Sequence, residues 1–443
     1  MPTTDETHDP RRQSWVASAN SHAEFPIQNL PLGIFTPPAG GPSTSSGARG
    51  GVAIGDRILD LQAALAEGLF SGEARNAAEA AAGPSLNALM AQGPGPRRAL
   101  RRRVSALLAA DGDERARIEG IAGRLLHEAA ACTLHLPAAI GAFTDFFAGI
   151  HHARNGGRRR DPNNPLSPNY KYVPVAYHSR ASSVRPSGVA IRRPHGQRKD
   201  AADAAPHFGP SQKLDYELEL AVWIGPGNAL GEPIPIGRAG EHVFGLGLLN
   251  DWSARDVQGW ESQPLGPFLA KNFGTTVSPW IVTHEALAPF RVRQPARPEG
   301  DPRPLPHLWD EGDQQQGAFD IALEALLSTE EMRRKGLPPH RISASNTTDL
   351  YWTVAQLVAH HSSGGCNLEA GDVFGTGTIS GPTPDGYGSL MEVSQDGQRP
   401  IALPSGERRT FLEDGDEVIF RAHCRREGAT PIGFGECRAR IAS

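Results

Sequence analysis

The chain has 443 residues, of which 39% are hydrophobic and 21% charged, with a formal net charge of −5. This length allows more than one domain, and the composition is ordinary for a water-soluble protein. The small negative charge gives no sign of a nucleic-acid partner, and the chain lacks the run of about 18 apolar residues that marks a membrane span. Because the polar, acidic N-terminus is unlike a signal peptide, we expect a cytoplasmic protein without a membrane partner.

The cysteines and the turn-forming residues narrow the class of fold. Cys132, Cys366, Cys424 and Cys437 lack the Cys-x-x-Cys or Cys/His spacing of zinc sites. This disfavours a structural zinc site and a disulfide-linked secreted scaffold. The chain also has 50 Gly and 38 Pro, scattered along its length, which favours many short strands joined by turns.

Changes in pattern along the chain predict two domains. The pattern over residues 1–135 predicts a small N-terminal domain, and residues 1–13 of it are expected to be disordered. Within it, residues 51–61 are typical of a hairpin and residues 61–131 are Ala-rich and helical in pattern. Residues 136–443 indicate a larger domain, rich in strands and turns, that holds the chemistry.

An arginine-rich run interrupts the helical stretch. Residues 97–103 read Arg-Arg-Ala-Leu-Arg-Arg-Arg. An anionic partner is one explanation of this run. The spacing favours another, the solvated face of an amphipathic helix with Leu100 and Val104 turned inward.

Two glutamates lie within an apolar run. Glu217 and Glu219 fall inside residues 214–224, which end at a Gly-Pro-Gly stop and are typical of a strand. Side chains two apart in a strand point to the same face, so these carboxylates project together. An edge strand with one wet face is one explanation. A bound cation is the other, because two buried carboxylates without a positive partner are very costly.

Two further carboxylates follow apolar or aromatic runs. Asp251 follows the apolar, Gly-rich run 243–249, so it ends a buried strand, and it could also be the N-cap of a following helix. Asp145 lies between aromatic residues and precedes the adjacent His151 and His152. Adjacent histidines point in different directions, so we expect at most one of them in a site with Asp145. For either histidine alone, an ordinary core or surface position is the simpler explanation.

A lone lysine stands among apolar and Gly residues. Lys271 has no carboxylate four residues away in either direction. A surface position is usual for lysine, but these neighbours favour a buried role.

Taken together, these segments resemble the fumarylacetoacetase (fumarylacetoacetate hydrolase) family. The most specific stretches are residues 250–256 (Asn-Asp-Trp-Ser-Ala-Arg-Asp) and 377–382 (Gly-Thr-Ile-Ser-Gly-Pro), and the likeness covers nearly the whole chain. The resemblance implies a mainly β fold with some α. Residues 1–135 would form an SH3-like barrel with a disordered leader, and residues 136–443 a mixed β-roll. It also implies a homodimer that hydrolyses the carbon–carbon bond of a small-molecule diketo acid, 4-fumarylacetoacetate.

The resemblance also implies the roles of individual residues. The ligands of Ca²⁺ and/or Mg²⁺ would be Asp145, Glu217, Glu219 and Asp251, with Lys271 and Thr275 at associated positions. The four carboxylates are oxygen donors, as a hard cation requires. The catalytic set would be His152 as general base, Glu392 as the carboxylate that orients it, and Arg255, Gln258 and Lys271 as groups that stabilise developing charge.

The implied substrate-binding set departs from the family pattern. Its members would be Phe147, Arg160, Tyr177, Gln258, Ser262 and Thr378. Phe147 and Ser262 stand where the family has tyrosine, and Arg160 is matched only across a one-residue gap. The alternatives are therefore a hydrolase, decarboxylase or isomerase acting on a related diketo acid, and a catalytically inactive metal-binding homologue.

Overall fold

The N-terminal part of the chain combines antiparallel strands with short helices. The computed structural model describes residues 3–38, 47–158 and 161–442. The strands of this part are β1 (Leu32–Thr36), β2 (Arg49–Ile54), β3 (Arg57–Asp60), β4 (Leu126–Glu128) and β5 (Thr133–Leu134). The helices are α1 (Leu61–Ala66), α2 (Gly72–Ala81), α3 (Asn87–Met90), α4 (Pro94–Leu108), α5 (Arg115–Gly120) and α6 (Ala122–Leu125). The expected hairpin is confirmed: β2 pairs with β3 around Gly55, whose φ of 58° favours glycine.

The larger part is dominated by strands. They are β6 (Phe143–Phe146), β7 (Ala176–Ser179), β8 (Val184–Pro186), β9 (Ile191–Arg192), β10 (His195–Arg198), β11 (His207–Pro210), β12 (Leu214–Asp215), β13 (Leu218–Ile224), β14 (Val243–Asp251), β15 (Ser253–Ala254), β16 (Thr275–Val277), β17 (Trp280–Thr283), β18 (Arg291–Val292), β19 (Ala318–Phe319), β20 (Ala322–Ser328), β21 (His340–Asn346), β22 (Val373–Gly375), β23 (Ile401–Ala402), β24 (Arg408–Arg409), β25 (Glu417–Cys424) and β26 (Ile432–Ala442). The helices are α7 (Ile150–Gly157), α8 (Arg255–Glu261), α9 (Glu311–Gln316), α10 (Glu330–Arg334), α11 (Val354–Ser362) and α12 (Leu390–Val393). No helix in the described ranges has the length and apolar character needed to cross a membrane.

One mixed sheet joins the two parts of the chain. Its strands run in the order β4-β3-β2-β1-β17-β14-β13-β22-β6-β7, and β22 and β6 are parallel. Strand β1 pairs with β17, so the N-terminal hairpin extends the sheet of the larger domain. A second sheet, β21-β20-β25-β26-β9, packs on the first. Leu220 and Leu248 of the first sheet share a core with Leu323, Phe420 and Phe434 of the second. The expected β-rich fold, with a smaller N-terminal and a larger C-terminal domain, is confirmed.

The N-terminal leader is ordered from residue 3, so the expectation of a disordered leader is wrong there. Asp5 begins a short 3₁₀ helix, Glu6–His8, and forms a capping box with it. His8 Nε2 lies 2.9 Å from the carbonyl oxygen of Glu285, and Arg101 Nε donates to the Thr7 hydroxyl at 2.9 Å. Polar composition predicts disorder, but it carries no information about partners so distant in the chain.

The arginine-rich face of α4 is partly buried, which corrects the expectation of a solvated face. Arg97 and Arg101 are only 2% and 6% exposed. Arg97 donates through Nε and Nη2 to the two carboxylate oxygens of Glu285, at 2.6 and 2.8 Å. Arg101 donates to the carbonyl oxygens of Gln28 and Asn29. These arginines therefore anchor α4 to the leader and to the larger domain instead of binding an anionic partner.

We expect Arg97→Ala to lower the free energy of unfolding by about 3–5 kcal/mol, because it leaves the buried Glu285 carboxylate without its cation. Urea unfolding measures the change. Arg98→Ala is the matched control, since Arg98 is the next residue of the helix and is exposed. It should change stability by less than about 0.5 kcal/mol. Equal effects of the two substitutions would contradict the prediction.

Candidate active site

Four buried carboxylates converge in the larger domain. One oxygen each of Asp145, Glu217, Glu219 and Asp251 lies within 4.8 Å of the others, and none of these residues is more than 6% exposed. Asp145 lies on β6, Glu219 on β13 and Asp251 at the end of β14, as the sequence predicts for Asp251. The strand expected over residues 214–224 is interrupted at 216–217, so Glu217 enters the cluster from an irregular segment. Because β13 is a central strand, paired on both sides, a wet edge is excluded as the explanation of the glutamate pair.

Glycine allows the strands to approach at this point. A Cβ atom on Gly375 of β22 would lie 2.3 Å from Asp145 Oδ1 and 2.7 Å from Glu219 Oε2. Gly377, with a φ of 77°, donates its backbone N–H to Glu219 Oε2 at 2.9 Å. Gly377 begins the Gly-Thr-Ile-Ser-Gly-Pro stretch named above, whereas Gly375 is not predicted from the sequence. Their signal is the Gly-Thr-Gly at residues 375–377, immediately after a strand.

The cluster fits a metal ion. Asp145 Oδ1 and Glu219 Oε1 are buried and have no hydrogen-bond partner within the described part of the chain. Burial, together with the charge of Asp251, raises the pKa of Asp145 well above its ordinary value. Burial and the charge of Asp145 do the same to the pKa of Glu219. A divalent cation with oxygen ligands would satisfy both orphaned atoms and offset the repulsion.

A lysine and a tyrosine hold the carboxylates from the sides. Lys271, 4% exposed, is buried as expected. Its Nζ lies 2.8 Å from Glu217 Oε2 and 2.6 Å from Asp251 Oδ2. The Tyr177 hydroxyl oxygen lies 2.9 Å from Asp145 Oδ2 and 2.8 Å from Asp251 Oδ2, within hydrogen-bonding distance of both. These contacts distribute the negative charge, so the cluster is a bonded network and not a loose acidic patch.

An arginine and a threonine complete the surroundings. Arg255 Nη1 lies 2.7 Å from Glu217 Oε1 and donates to Gln258 Oε1 at 3.2 Å. The Thr275 hydroxyl donates to Asp251 Oδ1 at 3.2 Å. Burial alone would raise the pKa of Glu217, but the charges of Lys271 and Arg255 outweigh it and hold that pKa below its ordinary value. These two cations therefore favour the ionised form of Glu217 even without a metal.

The gain in melting temperature on adding Ca²⁺ or Mg²⁺ should grow as the pH rises above about 4. Without metal, the raised pKa values of Asp145 and Glu219 mean that the folded state binds protons more tightly than the unfolded state. Their contribution is fully present below the ordinary carboxyl pKa and is lost as the pH rises through the folded values. Thermal unfolding at several pH values, with metal and with chelator, measures the difference. A gain that shrinks with pH would contradict this account.

A histidine–glutamate pair lies beside the cluster. His152 of α7 is 4% exposed; its Nδ1 lies 2.7 Å from Glu392 Oε2 and its Nε2 lies 4.0 Å from Glu217 Oε1. Burial would raise the pKa of Glu392, but His152 and the hydrogen bonds from Asn155 and Ser389 outweigh it and lower that pKa. The ionised carboxylate therefore holds the ring with Nε2 directed toward the metal cluster. His151, the other member of the histidine pair, is only half-buried and does not line the cleft outlined by the described residues.

Three polar residues hold Glu392, a role that is not predicted for them from the sequence. Asn155 Nδ2 donates to Oε1 at 2.8 Å, and the Ser389 hydroxyl donates to Oε2 at 2.8 Å. The Ser380 hydroxyl lies 3.0 and 2.9 Å from the two carboxylate oxygens. Ser380 belongs to the Gly-Thr-Ile-Ser-Gly-Pro stretch, and Asn155 lies one helical turn after His152. Those positions are the signals that could reveal them.

A cleft of about 700 Å³ opens above these groups. Its polar floor is formed by Asp145, His152, Glu217, Arg255 and Lys271. Its wall is largely apolar and includes Phe147, Val175, Leu265, Pro267 and Met391. A small acidic substrate could therefore bind with its polar end on the floor.

The substrate-binding residues implied by the resemblance are only partly brought together. Phe147, Tyr177, Gln258 and Ser262 line the cleft, whereas Thr378 is buried and is not part of its described lining. Arg160 lies outside the described residues.

Two of these residues have contacts that define their surroundings. The Phe147 ring is edge-on to the His152 ring, with centroids 5.6 Å apart. The Ser262 hydroxyl donates to the Gln258 carbonyl oxygen at 2.5 Å, so it is held by its own helix.

A buried carboxylate cluster that could hold a metal ion, beside a histidine–glutamate pair on the floor of a cleft, is the arrangement expected of a metal-dependent enzyme. Comparison with known proteins gives the family. The model described as Fumarylacetoacetase N-terminal matches residues 28–137, and the model described as Fumarylacetoacetate (FAA) hydrolase C-terminal matches residues 142–442. The chain belongs to the fumarylacetoacetate hydrolase family.

Relatives match over nearly their full length. Fumarylacetoacetases of Arabidopsis thaliana and Homo sapiens are each 45% identical to the chain, over 95% of it and 96% of their own length. That of Dictyostelium discoideum is 43% identical, over 96% of each chain. A solved fumarylacetoacetate hydrolase from Exiguobacterium antarcticum has a TM-score of 0.50 at 17% identity, covering 94% of this chain and 99% of that one. This last likeness concerns the fold alone.

Proposed function

We propose that this protein hydrolyses the carbon–carbon bond of 4-fumarylacetoacetate to give fumarate and acetoacetate, the last step of tyrosine and phenylalanine catabolism. The observation that carries the proposal is the four-carboxylate cluster beside the His152–Glu392 pair. It lies in a chain whose relatives over 95% of its length are named fumarylacetoacetases.

The proposed cofactor is Ca²⁺ and/or Mg²⁺, held by Asp145, Glu217, Glu219 and Asp251, with Lys271 and Thr275 supporting Asp251. The all-oxygen donor set supports a hard cation over zinc or copper. When bound, such an ion supplies Lewis-acid polarisation of the diketo acid oxygens.

His152 is the proposed general base. His152 Nδ1 lies 2.7 Å from Glu392 Oε2, and the ring lines the cleft. In the proposed reactive form the ring is neutral, Nδ1–H donates to Glu392, and Nε2 carries no proton. Nε2 takes a proton from water as the water oxygen bonds to the carbonyl carbon of the fumaryl group. The ionised Glu392 keeps the ring oriented and stabilises the imidazolium that results.

Bond cleavage places negative charge on the departing acetoacetate. As the carbon–carbon bond breaks, its electron pair passes to the acetoacetate unit as an enolate, and fumarate keeps the new oxygen. Lys271, Arg255 and Gln258 face this region of the cleft and stabilise the charge; one such donor typically contributes about 3–4 kcal/mol. The proton on His152 then passes to the enolate carbon.

Substrate recognition is proposed for Phe147, Tyr177, Gln258, Ser262, Thr378 and Arg160. Phe147 lacks the hydroxyl that tyrosine would supply, and the shorter Ser262 side chain already donates its hydroxyl to the Gln258 carbonyl oxygen. These differences are the specific reason to test related diketo acids. The intact base, orienting carboxylate and metal cluster argue against an inactive homologue.

Loss of fumarylacetoacetate absorbance tests the proposal, measured with chelator present and after Ca²⁺ or Mg²⁺ is restored. Turnover should depend on the added metal and should yield equal amounts of fumarate and acetoacetate. A metal-restored protein that is folded but leaves fumarylacetoacetate unchanged would refute it. Activity on another diketo acid in the same assay would favour the related-substrate alternative.

We also propose a homodimer that works in the cytoplasm. Exposed apolar side chains support self-association: Phe208, Leu265 and Phe268 are 73%, 96% and 68% exposed. The four cysteines are free thiols, as a reducing compartment requires. Light scattering should give about twice the chain mass of 47.3 kDa. A single-chain mass at micromolar concentration would contradict the dimer.

A further inference from the structure

Asp215 is a fully buried carboxylate outside the metal cluster that no part of the proposed mechanism uses. It is 0% exposed, so it has no surface on the cleft. Its Oδ1 accepts backbone N–H groups of Tyr216 and Leu390 at 2.8 and 2.7 Å. Its Oδ2 accepts the backbone N–H of Met391 at 3.1 Å and Arg255 Nε at 2.8 Å. Four donors thus hold one charge in a fixed orientation.

On one side Asp215 holds the helix that carries the orienting carboxylate. Leu390 and Met391 are the first two residues of α12, and Glu392 is the third. The Glu392 side chain contacts His152 Nδ1 at 2.7 Å. A shift of the helix N-terminus would therefore move Glu392 and turn the ring of the base.

On the other side Asp215 holds the guanidinium that faces the cleft. Arg255, 8% exposed, lies between Asp215 and Glu217, with Nε bound to the first and Nη1 bound to the second. Arg255 is also hydrogen-bonded to Gln258, and both line the cleft. Because the guanidinium is planar, fixing Nε also fixes the direction of Nη1.

We propose that Asp215 is a positioning residue. Its buried carboxylate fixes the distance and orientation between the His152–Glu392 pair and the charge-stabilising Arg255. This inference rests on the proposed function, because Asp215 would control the distance between two groups that act in the proposed reaction. Its physical basis is that groups acting together on one substrate must keep their geometry within a fraction of an ångström.

The test is Asp215→Asn, which keeps the shape but removes the charge and one acceptor. We expect kcat on fumarylacetoacetate to fall about 100-fold, as misplacement by about 1 Å typically causes. KM should change less than about threefold, because the substrate contacts remain. Ca²⁺ binding, measured by calorimetry, should persist, because the four metal-cluster carboxylates are unchanged.

Asp416→Asn is the matched control for a purely structural effect. Asp416 is also 0% exposed; it pairs with Arg409 through both oxygens at 2.9 and 3.1 Å, and it accepts the Glu413 backbone N–H at 2.9 Å. It contacts neither α12 nor Arg255 in the described structure. The control should lower the melting temperature but leave kcat within about twofold of wild type. A folded Asp215→Asn protein that behaves like this control would overturn the inference.

A double-mutant cycle tests the route of the effect. If Asp215 acts through Glu392, the double variant Asp215→Asn/Glu392→Gln should lose far less kcat than the product of the fold-losses of the two single variants. Losses that multiply fully would overturn the inference. A wild-type chain without turnover would instead refute the proposed function, and this inference with it.

Leu390→Pro tests the same contact if Asp215→Asn does not fold. Proline removes the N–H that Oδ1 accepts and is tolerated at the first helical position, and the preceding Ser389 is already extended, with φ −147° and ψ 153°. Because the Leu390 side chain is fully buried and is also lost, Leu390→Ala is the reference variant. Relative to that reference, we expect kcat of Leu390→Pro to fall about tenfold, an intermediate loss because three of the four donors remain. Unchanged kcat in this variant would overturn the inference.

Discussion

Replacing His152 with alanine should reduce kcat by at least about 10³-fold, within the range that general acid–base catalysis contributes. Among the described residues, this ring is the one imidazole that lies against the cluster and is held by a buried carboxylate, with Nδ1 2.7 Å from Glu392. Its loss leaves only the carboxylates of the proposed metal cluster as proton acceptors on the floor of the described cleft. Because His152 is not among the four cluster ligands, Ca²⁺ affinity should remain within about threefold of wild type.

His151→Ala is the control for this experiment. It removes the same side chain one position earlier on α7, from a half-buried position outside the described cleft lining. Steady-state kinetics and calorimetry on both variants separate catalysis from metal binding. Near-normal turnover by His152→Ala, or equal losses in the two variants, would remove His152 from the role of base.

Replacing Glu219 with glutamine should lower Ca²⁺ and Mg²⁺ affinity by at least about 100-fold. Even the loss of a residue that only supports a metal ligand can lower affinity by about that much. Glu219 is 0% exposed, and its Oε1 has no hydrogen-bond partner in the described structure. Glutamine keeps the shape and can still accept the Gly377 N–H, but it brings no charge to the ion. Activity should fall with the loss of metal.

The same substitution should stabilise the metal-free protein. The pKa of Glu219 is raised by burial and by the charge of Asp145, so a neutral side chain relieves the repulsion that a cation otherwise offsets. Melting temperatures with chelator and with saturating Ca²⁺ measure both effects. Glu324→Gln, on β20 outside the cluster, is the control and should change neither value by more than about 2 °C. Undiminished Ca²⁺ affinity in Glu219→Gln would exclude Glu219 as a ligand.

Local sequence signals predict several elements of this fold well. The hairpin around Gly55 follows from turn chemistry and alternation, and the strand ending at Asp251 follows from an uninterrupted apolar run. Burial of Lys271 follows from its apolar neighbours. In each case the decisive residues lie within a few positions of one another, where pattern and structure are directly linked.

Long-range contacts account for the elements that the sequence does not predict. Residues 3–13 look disordered by composition, yet His8 contacts a carbonyl group 277 residues away. The helical spacing predicts that Arg97 faces solvent, yet Arg97 is buried and pairs with Glu285, 188 residues away in the chain. A polar or charged residue is compatible with water or with a buried partner, and only the folded chain decides between them.

The site shows the same division between chemistry and position. Residue types alone establish what the groups can do: carboxylates bind a hard cation, and imidazole exchanges protons near neutral pH. The glutamate pair is compatible with a wet edge strand until its neighbours are known. Family likeness implies the partners, but the pairing of His152 with Glu392, 240 residues apart, is a fact of the tertiary structure.

Chain pattern thus identified strands, turns and candidate ligands, because these depend on neighbouring residues. The fold decided which carboxylates share one buried volume, which histidine is oriented, and which donors, such as Asn155 and Ser380, support Glu392. It also brought Asp215 to the N-terminus of α12 and to Arg255. The physical reason is that burial and charge pairing depend on every element packed around a group, and those elements come from distant parts of the chain.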